Sequence, residues 1–153
     1  DLMSQLSALL PPRWSRNNPI DCAGGETRDT VTEIMDIVAG HESIDAVIFL
    51  GIGIQSNQAK MMRAGTYYPD HGLERIVAYH EKQDERYAIT AREVSRNHGK
   101  PILIATELAV TDPKNSGPAS VRDSGAYCYP TGARAATSLA HLYKYARYRG
   151  IAQ

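Results

Sequence analysis

Apolar positions recur along this chain in two rhythms, and each predicts a different element. Val31, Ile34, Met35 and Val38 return every three or four residues. That spacing predicts a helix with Thr27 or Thr30 as its cap, Asp29 in its first turn and Gly40 as its stop. Leu73, Ile76, Val77, His80, Tyr87, Ala88, Ala91 and Val94 mark one face of a long helix stopped by Gly99 and Pro101. Glu74, Arg75, Glu81, Lys82, Asp84, Glu85, Arg86, Arg92 and Glu93 make its charged, solvated face. A stripe of Ala135, Ala136, Leu139, Leu142, Tyr143 and Ala146, with Pro130-Thr131 capping the turn before it, predicts a final helix. Tyr143, Tyr145 and Tyr148 are expected to pack it. Shorter helices are expected over Leu2 to Leu10, ended by Pro11-Pro12, over Gln58 to Ala64, and over Pro118 to Ser124, ended by Gly125. The second rhythm is the continuous apolar run. Ile44 to Leu50, Ile102 to Glu107 and Ala126 to Tyr129 read as strands, the first covered on both faces as in a parallel sheet. Asn18 to Gly25 reads as a strand-like entry running into a Gly-Gly turn. Gly65 to Gly72 and Leu108 to Gly117 read as a surface excursion and a polar connection.

Strands alternating with helices imply right-handed crossovers and a parallel sheet, hence an α/β domain. At 153 residues one domain is the expectation. Seventeen Lys and Arg balance seventeen Asp and Glu, and no basic cluster interleaved with aromatics is read, which argues against nucleic acid as a main partner. The longest apolar run, Ala46 to Ile54, falls far short of the roughly 20 residues that span a bilayer. A soluble, cytoplasmic protein without a membrane partner is expected. Asp1 at the start suggests a piece excised from a longer polypeptide. Cys22 and Cys128 lack metal-ligand spacing and read as small buried hydrophobes, so no metal site is expected.

Candidate chemistry gathers where the first apolar run empties into Gly51-Ile52-Gly53-Ile54-Gln55-Ser56-Asn57. A helix N-terminus beyond the carboxyl end of a strand offers unpaired N–H groups and the positive end of a dipole, which suits a phosphate or carboxylate. Gly51, Gly53, Ile54, Gln55, Ser56 and Asn57 are the phosphate-binding candidates. Asp21, with Gly24 and Gly25, is a possible supporting group at the same sheet edge, against the plainer reading of a carboxylate bonding turn N–H groups. Glu107 is comparable. His41, His80, His98 and His141 sit at helix ends or on helices, and only His71, beside Asp70 and Tyr68, merits a test. No serine elbow, zinc-protease helix or phosphate loop of the GKS/T type is present, and no catalytic residue is assigned.

The order Asn18-Pro19-Ile20-Asp21, a Gly turn and a helix, Ile44-Asp45-Ala46-Val47-Ile48, Gly99-Lys100-Pro101-Ile102-Leu103, then Ala126-Tyr127-Cys128-Tyr129-Pro130-Thr131-Gly132-Ala133-Arg134-Ala135 and Tyr145-Ala146-Arg147-Tyr148 resembles the second flavodoxin-like CoA-ligase domain of NDP-forming acyl-CoA synthetases. These are relatives of acetate-CoA ligase (ADP-forming) and succinyl-CoA synthetase. The resemblance implies a three-layer α/β/α sandwich with a short parallel sheet. It also implies a module of an enzyme making acyl-CoA from acid, CoA and nucleoside triphosphate through an acyl phosphate and a phosphohistidine. On that reading the chain binds no cofactor alone. CoA, ATP or ADP and Mg belong to the parent, and the partners are its CoA-binding, phosphohistidine and ATP-grasp domains, in the same chain or a partner subunit. Gly51 to Asn57 would help hold the phosphorylated histidine loop. The long charged stretch from Ala59 to Arg96 and the Gly-Ile-Gly-Ile turn depart from the pattern. The enlarged charged helix fits an alternative, a non-catalytic docking or regulatory module within a fused protein acyltransferase or related multidomain protein.

Overall fold

A computed structural model describes residues 1–22 and 29–151. Its elements in chain order are α1 (Leu2–Leu9), α2 (Thr30–Gly40), β1 (Val47–Leu50), α3 (Ile54–Arg63), α4 (Leu73–His98), β2 (Ile102–Ala105), α5 (Leu108–Thr111), α6 (Ser116–Asp123), β3 (Cys128–Tyr129) and α7 (Gly132–Tyr148). The chain divides into two compact units, Asp1–Val47 with Thr90–Ile102, and Ile48–Ile89 with Leu103–Gln153.

The first unit is built on α1 and α2. Leu6, Leu10, Trp14, Ile34 and Val38 form its buried cluster, with Leu9, Ile20, Cys22, Ile37, Ile44 and Val47 packed against it. Asp1 caps α1 by accepting from the Met3 N–H at 3.2 Å. α2 begins at Thr30, so Thr30 is its first residue rather than its cap; Asp29 precedes it without a side-chain capping bond, and Thr27 lies outside the described residues. Gly40 is the last residue of α2 rather than a stop beyond it. Among the described residues the strand-like entry, Asn18 to Cys22, joins none of the three strands; Asp21 forms an antiparallel bridge with Ser15.

The sheet is ordered β1-β2-β3, and apart from Val47 and Ile102 its residues belong to the second unit. β2 and β3 run parallel, Ile104 beside Cys128 and Ala105 beside Tyr129. The Val47 N–H donates to Pro101 O and the Gly51 N–H to Ala105 O. Four residues on in β1 match four residues on in β2, the signature of a parallel pair. Leu103, Ala105 and Ala135 form the buried cluster between this sheet and α7, with Ile48, Tyr129 and Leu139 against it. β1 is shorter than the apolar run predicted and is not covered on both faces: the Ile44 N–H is tied to His41 O, and Leu50 is 54 % exposed. The chain is thus mixed α/β with a short three-stranded parallel sheet.

Candidate functional site

β1 delivers the chain into the expected corner. Gly51 (φ 89°) and Gly53 (φ 95°) take left-handed conformations on either side of Ile52, whose side chain is fully buried. Glycine is required at 53 twice over, since a Cβ there would also stand 2.7 Å from both Asn115 Oδ1 and Leu108 Cδ1. α3 starts at the next residue, Ile54, four residues before the Gln58 start expected. Its first-turn amides face out of the helix along the positive end of its dipole.

Those amides already hold an anion. The Asp84 carboxylate, on α4 and 1 % exposed, accepts from the Gly53 N–H at 2.9 Å through Oδ1, and from the Ser56 N–H at 2.8 Å and the Ser56 hydroxyl at 2.6 Å through Oδ2. Three charge-assisted bonds and a helix dipole compensate the desolvated carboxylate. Ser116, the first residue of α6, sets its hydroxyl against Ser56 Oγ. Because the Ser56 proton goes to Asp84, Ser116 is the donor in that contact. Asn115 closes the other side, donating from Nδ2 to Gly53 O at 3.3 Å and accepting the Gly117 N–H at 2.9 Å. A Cβ on Gly117 would stand 2.5 Å from the Gly53 nitrogen, so the starts of α3 and α6 touch backbone to backbone. One turn before Asp84 on α4, His80 Nδ1 bonds Gln55 Oε1.

The six phosphate-binding candidates therefore sit together at the start of α3, and most of their amide donors are engaged within the chain. Gly53 and Ser56 serve Asp84, the Ile54 N–H goes to Gly51 O at 3.3 Å, and the Asn57 N–H to Gly53 O at 2.9 Å. Gln55 is engaged by His80, and the Ile54 side chain is 60 % exposed. This corrects the expectation of an open anion site: a carboxylate of the chain itself fills it. It also corrects the assignment of Asp84 to the solvated face of α4. Asp84 lies seven residues after Val77 and seven before Ala91, both buried, so the apolar stripe itself carries the signal.

The remaining candidates do not converge. Asp21 is exposed in the first unit, and Gly24 and Gly25 lie outside the described residues. Glu107 is exposed at the start of α5, past the end of β2 rather than within it. His71 is exposed, with its ring edge-on to Tyr67 at 5.9 Å; His41 meets Ser43, and His98 pairs with Asp36 at 2.8 Å. Cys128 is buried and Cys22 half-buried, both as free thiols. Burial pushes the Cys128 thiol up from its ordinary value, partly opposed by Arg122, which disfavours the nucleophilic thiolate. Among the described residues no three His, Cys, Asp or Glu side chains gather as a metal site, and no helix is long and apolar enough to cross a membrane.

A second feature was not anticipated. Tyr127, Tyr129, Pro130, Arg134 and Ser138 line an open groove of about 420 Å³ beside β3. Tyr143, Tyr145 and Tyr148 do not pack α7 inward; they are 49 %, 55 % and 85 % exposed. Compared with family models, with curated proteins and with solved structures, the chain matches none.

Proposed function

We propose that the chain is a docking or regulatory domain of a larger multidomain protein, built on the flavodoxin-like CoA-ligase pattern, and that it holds no transferable phosphoryl group of its own. The observation that carries this is the buried Asp84 carboxylate bound to the Gly53 and Ser56 amides, where an incoming phosphate would have to sit. A dianion meeting a buried carboxylate in that corner faces like-charge repulsion with its donors already engaged. On this reading the three-layer sandwich, the cytoplasmic location and the dependence on partner domains carry over from the resemblance, while CoA, ATP and Mg chemistry stays with other modules.

The test is a titration of this chain with inorganic phosphate, followed by the amide signals of Gly53 and Ser56. Unmoved signals support the proposal. A saturable shift confined to those two amides overturns it. The outcome would then favour the second reading, the phosphohistidine-holding domain of an NDP-forming acyl-CoA synthetase, which one observation supports: these amides and the Ser56 hydroxyl form a working oxyanion receptor, since they already bind one.

A further inference from the structure

We propose that α7 of one copy of this chain docks on the acidic surface of α2 and the segment after it in a second copy. This goes beyond the reading above and uses none of the residues of the α3 corner.

The first observation is an exposed helix surface. From Ala140 to Tyr148 every residue of α7 except Ala146 is exposed. Leu142 at 60 %, Tyr145 at 55 % and Tyr148 at 85 % are large apolar or aromatic groups in water, followed by Ile151 at 75 %. Next to the start of α7, Tyr127 is 67 % exposed and edges the groove that also holds Arg134. Tyrosine and arginine set among aliphatic side chains are the composition of interface centres rather than of solvated helices.

The second observation is charge, and it selects the occupant. The chain is neutral overall, yet from Ser124 onward it carries Arg134, Lys144, Arg147 and Arg149 and no acidic residue. Between Asp21 and Asp45 it carries seven Asp and Glu against the single Arg28. Glu33, Asp36, Glu42 and Asp45 are exposed there, Asp36 beside His98, and Val31 and Ile37 on α2 are half-buried. Lys144 and Arg147 make no ion pair among the described residues. A second copy brings charge opposite in sign to each surface, which steers the encounter. Because the two surfaces differ, the contact is heterologous; it closes as a pair or runs on into chains according to the rotation between copies.

Sedimentation velocity on the chain tests this. Self-association is expected at low ionic strength, weakened at least about tenfold between about 50 and about 500 mM salt. The variant Lys144→Glu/Arg147→Glu and the variant Glu33→Lys/Glu42→Lys should each be monomeric with an unchanged circular dichroism spectrum, since all four positions are exposed. The variant carrying all four changes should associate again, a rescue that a merely destabilised protein would not show. A wild-type chain that stays monomeric up to about 300 μM in low salt overturns the proposal. So does association that survives either double reversal, or a fourfold variant that stays monomeric. Should the wild-type chain instead bind a poly-uridine RNA or vesicles of phosphatidylserine and phosphatidylcholine through Lys144 and Arg147 without self-associating, the second-copy assignment also falls.

Discussion

Two strands in the second unit hand over to helices, and they finish the job in opposite ways. At the end of β3, Pro130 and Thr131 lead into α7, and the Thr131 hydroxyl accepts the Arg134 N–H at 3.2 Å. The cap is local, three residues away and open to solvent. At the end of β1, Gly53 has no side chain with which to cap α3, and the acceptor comes from Asp84, 31 residues along the chain and buried. A local cap organises one helix end. The distant one ties α3 to α4 and, through Ser56, Ser116 and Asn115, to α6. The same backbone need, unpaired N–H groups in a first turn, is met once by secondary structure and once by tertiary structure.

The comparison breaks most sharply at Asp84. Asp84→Ala leaves the buried Gly53 N–H and the Ser56 N–H without their acceptor and opens a void, so a loss of about 4 kcal/mol is expected in urea unfolding. Asp84→Asn keeps the volume but points an amide donor at one of the same N–H groups, for a loss of about 2 kcal/mol or more. If either variant unfolds within 1 kcal/mol of the parent, a figure comparable to a surface cap, the corner is not held together as the geometry indicates.

What could be read from the sequence divides along the same line. Every helix with a regular apolar stripe was legible, as were the strand cores and the Thr131 cap, because periodicity and capping are local properties. Boundaries slipped where the third dimension decides them: Ile44 is held in a turn by His41, and α3 begins at Ile54 because two left-handed glycines allow it. The candidate corner was legible as a place, while the Asp84 carboxylate that its Gly53 and Ser56 amides hold was not. Glycine spacing announces a helix start able to take an anion, but nothing local says that the anion is Asp84. The aromatic face of α7 failed in the reverse sense, since a stripe of Leu142, Tyr143 and Ala146 says which side is apolar and not what lies against it.

The meeting of α3 and α6 sharpens the contrast next. Gly117→Ala places a methyl 2.5 Å from the Gly53 nitrogen and 2.6 Å from its Cα, backbone atoms that can yield only if a helix moves. A loss of about 3 kcal/mol is expected. Gly53→Ala combines an unfavourable φ of 95° with contacts to the ends of Asn115 and Leu108, which can partly turn away. About 2 kcal/mol is expected there. Thermal or urea unfolding of both variants checks the order, and Gly117→Ala proving the milder of the two would mean that α6 does not press on the α3 corner.

The smallest effect belongs to the local cap, and it calibrates the rest. Thr131→Ala removes the acceptor for the Arg134 N–H at an exposed helix start, where water takes its place. A loss of about 1 kcal/mol is expected, read as a lower urea midpoint at constant slope. The Asp84 corner should remain unaffected, so the Gly53 and Ser56 amides should keep the same hydrogen-exchange protection relative to global stability. Combining Thr131→Ala with Asp84→Ala should give the sum of the single losses within about 0.5 kcal/mol, as for sites that share no partner. A Thr131 loss equal to that of Asp84 would erase the distinction between the two corners, because the distant carboxylate would then be doing no more than a hydroxyl three residues away.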